Sequence, residues 1–329
     1  MGNKQLSILI IDAEITLSLS VMRCLASVPQ IKTHILSNDR WAVARFSRHC
    51  ASFHYYTPTH DDDLFLDEIG KVARYIDADI ILPVFQDATK FSTKHTRTLE
   101  KFAKIVSIPK PEIFNIAVDK WLLADFMRKY GISTPTTVPI TKSLDFKENL
   151  AALTYPVLAK PRHGSAGSGI REIKDYTELE RFIEMKNDDA SSYIIQNRIR
   201  GYDIDCSVLC REGEILAYTI QKGIIPNPIQ FRPPLAIEFL HHDEVLMTMS
   251  KLVAELNWNG VAHVDMMLDA DDQCIKVIDF NARYWESLLG SLAVGVNFPY
   301  LACLDTLNRS LPPSGYQCRR YIAPNASSK

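Results

Sequence analysis

The run LSILIID at residues 6–12 is apolar at consecutive positions, which predicts a strand covered on both faces. Residues 14–26 space their apolar positions along one helical face, and KTHILS (32–37) predicts a second strand. A helix around 61–76 leads into the buried strand ADIILPV (78–84). Strands alternating with helices predict a parallel sheet wound with helices. Asp12 and Asp87 fall near the carboxyl ends of such strands, where open α/β sheets bind ligands, although turn and capping roles suit both equally. IPKPE (108–112) reads as a linker. Beyond it the pattern predicts a helix over 118–130 ended by Gly131, the extended segment STPTTVP, a strand at 155–161, a helix at 176–186 and a strand at 192–199. YDIDCSVLC and EILAYTIQK predict a hairpin about Arg211 to Gly213, and Glu244 to Trp258 carries a helical stripe.

The next hairpin breaks the ordinary pattern. In GVAHVDMMLDADDQC, Val261, His263 and Asp265 share a face, and DADDQ (269–273) has turn chemistry. In KVIDFNARYW the apolar Ile278, Phe280 and Ala282 alternate with Asp279, Asn281 and Arg283. A loop of three or five residues, either odd length, sets Asp265 on the face of Asp279 and Asn281, about 5–8 Å away. Like charges so placed repel unless a cation lies between them, and Mg²⁺ shared with phosphate oxygens is the natural occupant. A solvated polar face with Arg283 as counter-charge is the alternative.

PVLAKPRHGSAGSGI (156–170) delivers Lys160 from a buried strand into a run containing Gly164, Gly167 and Gly169. Such a run lets backbone N–H groups approach a phosphate. The lysine precedes the loop, so this is neither a Walker loop nor a Rossmann fingerprint. In IIQNRIRGYD, the backbone from Gln196 to Ile199 offers a donor–acceptor pair for an adenine edge, and Asp203 suits ribose hydroxyls. Lys120 follows Asp119 at a helix start and can reach the same phosphates.

Composition narrows the classes. The 329 residues are 47% hydrophobic and 23% charged with net charge -2, which gives no reason to expect nucleic acid or an anionic membrane as a general partner. No apolar run reaches membrane-span length. The opening MGNKQLSILIIDAE lacks a secretory cleavage pattern, and Leu6 stands where acylation of Gly2 requires Ser or Thr. Seven scattered cysteines without a CxxC pair suit a reducing cytoplasm.

On these residues the chain resembles the ATP-grasp superfamily over nearly its full length, and NARYWESLLGSLAVGVNFPYL is most similar to the carbamoyl-phosphate-synthetase-like branch. The resemblance implies an α/β plus α+β fold. A parallel-sheet pre-ATP-grasp domain (1–112) precedes a two-subdomain ATP-grasp domain (113–329) with its lid at about 130–200. It implies ATP as cofactor, held by Lys120 and Lys160, by the lid residues His163, Gly164, Ser165, Gly167 and Gly169, by Gln196, Asn197 and Ile199 at the adenine, and by Asp203 at the ribose. Asp265, Asp279 and Asn281 correspond to ligands of two Mg²⁺ ions, for which Mn²⁺ can substitute. Lys222 and Arg283 correspond to the catalytic cations. The implied reaction joins a small carboxylate to an amine (or thiol) through an acylphosphate. Carbamoyl phosphate or carboxyphosphate formation, or a nucleotide-binding regulatory protein without turnover, is the alternative. A homodimer fits the resemblance, and no membrane or nucleic-acid partner is expected. Two positions depart from the family: Asp279 stands where Glu is usual, and Glu286 where a small residue is.

Overall fold

The computed structural model of the chain describes residues 5–141, 150–164, 167–313 and 315–322. Strands β1 (Leu6–Ile10), β2 (Ile31–Ser37), β3 (Cys50–Tyr55), β4 (Ile80–Leu82) and β5 (Lys104–Ile105) form a parallel sheet in the order β3-β2-β1-β4-β5. Its helices are α1 (Leu17–Ala26), α2 (Asp62–Tyr75) and α3 (Gln86–Leu99). The unbroken apolar run of β1 has its cause here. Ile8 and Ile10 pack with Val21 and Leu25 of α1 on one face, while Leu9 and Ile11 pack with Ile69 of α2 on the other.

The expected linker is already helical: α4 (Pro111–Val118) starts inside it with proline in its first turn, where the missing N–H costs nothing. The helix expected over 118–130 is therefore the second of a pair. Asp119, at φ -94 and ψ 112, ends α4 and caps α5 (Lys120–Lys129) through its carboxylate.

Strands β6 (Thr137–Pro139), β7 (Val157–Pro161), β8 (Arg171–Ile173) and β9 (Tyr193–Asn197) form an antiparallel sheet in the order β6-β9-β7-β8, backed by α6 (Tyr176–Lys186). Strands β10 (Gly201–Arg211), β11 (Glu214–Ile225), β12 (Ala236–Phe239), β13 (Gly260–Asp269), β14 (Ile275–Asn281) and β15 (Arg320–Ile322) form the third sheet, ordered β14-β13-β10-β11-β12-β15. Helix α7 (Asp243–Leu256) buries Val245, Met249 and Leu252 against Cys206, Val208, Ile220 and Val264 of that sheet. Helices α8 (Leu288–Ala293) and α9 (Phe298–Thr306) join the third sheet to the first, since Leu209, Leu288 and Phe298 share one core with Ile8 and Ile10. No helix among the described residues is long and apolar enough to cross a membrane.

Candidate active site

The two acids of the unusual hairpin are aligned by an irregularity. Near the turn, Leu268 pairs with Ile275 and Met266 with Val277, leaving residues 269–274 between the first pair. That is an even number, contrary to the odd loop expected, and a regular ladder continuing from it would set Ile278 opposite Asp265 and turn Asp279 into the core. Instead Ile278 is the extra residue of a β-bulge, so that Asp265 pairs with Asp279 and His263 with Asn281. Phe280 and Ala282 then keep the core face while the acids and the amide face the cleft.

The polar groups of this row are tied to one another, although Arg283 Nε is buried without a hydrogen-bond partner among the described residues. The Asn281 amide donates to both Asp265 oxygens at 3.3 Å, and its own oxygen accepts from Arg283 Nη2 at 3.0 Å. Arg283 Nη1 donates to the Tyr284 carbonyl at 2.9 Å, and the guanidinium carbon lies 5.0 Å from the Phe85 ring centroid. Phe85 follows β4 of the first sheet and caps the start of α3. Its N–H, and that of Val84, donate to the buried Asp12 carboxylate, while Val84 O accepts from Tyr284 N. Burial pushes the Asp12 carboxyl up to about 7. Asp12 thus has a structural task, and Asp87 sits in the first turn of α3.

The lysines come from above. Lys120 Nζ pairs with Asp279 at 3.0 Å and donates to Gly164 O at 3.1 Å. It is placed there by Asp119, whose carboxylate caps α5 and accepts from Arg162 Nη2 at 2.6 Å, and by its own N–H on Arg162 O. Lys160, only 5% exposed, donates to Gln196 Oε1 at 2.6 Å, and burial pulls its ammonium down to about 8.

Between the second and third sheets lies a cleft of about 690 Å³, within the range of small-molecule sites. Its lining includes Lys120, Lys160, His163, Gly164, Gly167, Gln196, Asn197, Ile199, Asp203, Asp265, Asp279, Asn281 and Arg283, so most of the residues expected from the sequence meet in one place. Gly169 is packed beneath it against Pro161. Ser165 lies outside the described residues. The Asn197 N–H is given to Thr136 O, and beyond the strand end Arg198 and Ile199 also line the cleft. Gly167 adopts φ +71, and a Cβ on it would stand 2.3 Å from Phe231 O; the glycine loop and the 226–235 loop therefore close over the cleft in direct contact.

Lys222 is a correction. The pleat of β11 sends Gln221 into the cleft, and Lys222, paired with the core residue Ile204, points to the opposite face. Its ammonium rests 3.7 Å from the Tyr202 ring centroid. Asp205 and Gln221 are among the cleft residues that sequence reasoning passed over. The signal was present in YDIDCSV, where Asp203, Asp205 and Ser207 alternate onto one face.

The electrostatics single out the acids. Asp265 keeps part of its surface open to the cleft, yet removal from bulk water, and then the Asp279 charge opposite, push its carboxyl up to about 7. Asp205 is driven well above the usual carboxylate range by burial and then by Asp265. His263 lies between these two, its Nε2 at 3.3 Å from Asp265 and 3.9 Å from Asp205, and burial pulls it down to about 3. Two opposed carboxylates and an amide oxygen are the hard oxygen donors that Mg²⁺ takes, and the upward shift at Asp265 marks a place short of positive charge.

Residues 117–287 match the sequence profile of the ATP-grasp domain, and the chain belongs to that family. It is similar to a carbamoyl-phosphate synthase of Methanobrevibacter smithii, at 27% identity over 173 residues, 50% of this chain and 45% of that protein. It is also similar to a D-alanine–D-alanine ligase of Hydrogenovibrio crunogenus, at 22% identity over 168 residues, 48% of this chain and 53% of that protein. The chain spans about half the length of the curated relatives it matches. In fold it is similar to the N5-carboxyaminoimidazole synthetase of Staphylococcus aureus solved with ADP, with a TM-score of 0.74 and 15% identity over 97% of this chain and 80% of that one.

Proposed function

We propose that the protein is an ATP- and Mg²⁺-dependent ligase that joins a small carboxylate to an amine through an acylphosphate. The observation that carries this reading is the convergence of two lysines from above on a bulge-aligned row of metal-type donors below, inside one roofed cleft. Asp265, Asp279 and Asn281 are the residues that would hold two magnesium ions, or manganese in their place, and such ions would supply charge neutralisation to the triphosphate. Lys120 and Lys160 take phosphate oxygens, and Arg283, seated on Phe85, is placed for charge on the transferring phosphoryl group. Gln196, Arg198 and Ile199 receive the adenine and Asp203 the ribose. Lys222 has no part in this site. The closed glycine loop excludes water, which an acylphosphate requires to survive until the amine arrives. The working division is a first domain at 1–112 and an ATP-grasp domain at 113–329, in a cytoplasmic homodimer.

The test is ADP release from Mg-ATP with pools of carboxylates and amines, followed by mass spectrometry for the amide. Release that needs one member of each pool, with the amide as product, is the expected result. Release with bicarbonate alone assigns carboxyphosphate chemistry instead, and nucleotide binding that no pool stimulates makes the chain a regulatory binder.

A further inference from the structure

Beside the metal donors the cleft has a lobe that the nucleotide reading leaves unused. It is lined by Asp205, Gln221, His263, Trp285, Glu286 and Ser287. Asp205, 8% exposed, is at its base. The Ser287 hydroxyl donates to Gln221 Oε1 at 2.7 Å, which turns the Gln221 amide nitrogen toward Asp205 at 3.3 Å. His263 is held by Ser207 at its Nδ1, 2.9 Å away, and stacks on Trp285 with centroids 5.6 Å apart. Among the described residues no lysine or arginine pairs with Asp205, whereas Asp279 has Lys120. Oxygens of Asp205 and Asp265 and a ring nitrogen of His263 lie within 4.8 Å of one another, so a molecule seated in the lobe lies beside the proposed metal donor Asp265.

A second anion is repelled there by Asp205, Asp265 and Glu286, and a neutral group leaves Asp205 without counter-charge. A cation satisfies it, with the flat His263–Trp285 wall beside it as a favourable face. Resting on the ligase reading above, we infer that the lobe is the acceptor subsite and that its substrate carries two amines, one held as an ammonium by Asp205. The attacking nitrogen needs its lone pair and so is not the nitrogen in that ion pair. Diamines and diamino acids are the class that fits.

The experiment is calorimetric titration of the intact protein, loaded with Mg²⁺ and a non-hydrolysable ATP analogue, using two matched pairs: L-lysine against L-norleucine, and 1,4-diaminobutane against butylamine. The doubly aminated member of at least one pair binds ~30-fold or more tighter, as loss of one partner of a buried charge pair implies. Asp205→Asn erases that difference while affinity for the ATP analogue and for Mn²⁺ is unchanged, and Glu286→Gln reduces it by a smaller factor. Equal binding within both pairs, no binding by either, or an Asp205→Asn effect that follows lost Mn²⁺ affinity overturns the assignment. Because binding is read without turnover, failure to form an amide tests the ligase reading separately.

Discussion

Asp265 and Asp279 stand directly opposite one another on β13 and β14, although the ladder beside the turn runs in the other register. The bulge at Ile278 makes the difference, and a shift of one residue exchanges the faces of every side chain that follows. Deleting Ile278 leaves Asp279 next in line after Val277, opposite Asp265 in a regular ladder. The expected result is Mn²⁺ binding within ~10-fold of wild type by electron paramagnetic resonance, on the scale of a change in supporting contacts. Loss of the ion altogether would show that the bulge shapes the donors as well as aligning them.

Asp279→Asn removes one carboxylate from the row and leaves Lys120 without its 3.0 Å partner. ADP release is expected to fall ~100-fold or more, comparable to removing one preorganised electrostatic group from an active site. Steady-state turnover at saturating Mg-ATP decides it, and full retained activity contradicts the metal assignment.

Lys160 titrates at about 8 in the folded protein against 10.5 for the free group, because burial disfavours its charge. An unfolded chain holds that proton over the interval between, so the folded state is weakened fully below about 8 and recovers as pH rises toward 10.5. The cost is at most ~3 kcal/mol. Lys160→Met is therefore expected to remove this pH slope from urea-unfolding free energies, so the gap between variant and wild type shifts steadily in favour of wild type from pH 7 to 10. Parallel curves for the two proteins would refute it.

Gly167→Ala places a methyl group 2.3 Å from Phe231 O at a φ of +71. The contact between the glycine loop and the 226–235 loop must then open. Proteolysis in the glycine loop is expected to speed up and KM for ATP to rise several-fold, with the unfolding midpoint little changed. An unaltered KM would mean that the contact does not hold the nucleotide in.

Phe85→Leu keeps the apolar bulk but removes the ring 5.0 Å from the Arg283 guanidinium. A cation–π contact of about 0.5–2 kcal/mol corresponds to a loss of roughly 2- to 30-fold in kcat. Nucleotide affinity, measured by calorimetry, is expected to stay the same, because Phe85 does not line the cleft.

The legible parts of the molecule were those where burial and chemistry wrote the same letters. β1 is covered on both faces and could be read at once, and so could α7, whose stripe of Val245, Met249 and Leu252 faces one core. Helix α3 was missed because it packs small polar residues, Thr89, Ser92 and Thr93, in place of an apolar stripe. β3 is an edge strand whose residues are mostly half-buried, so its alternation is faint. In the site, Lys160 and the acid–amide–arginine row stood out as charges at positions where a strand ordinarily carries apolar residues. Lys222 was misplaced since family spacing carries no face, and only the register of β11 against Ile204 shows where it points. Asp205 was passed over because the alternation of Asp203, Asp205 and Ser207 shows that they share a face but not that the face is buried at Asp205.

The bond between Lys120 and Asp279 also says something about the order of events. A cation taken up by Asp279 must displace that ammonium, and an anion taken up by Lys120 must displace that carboxylate. A ligand carrying both charges exchanges the two partners together, whereas a lone ion replaces only one of them.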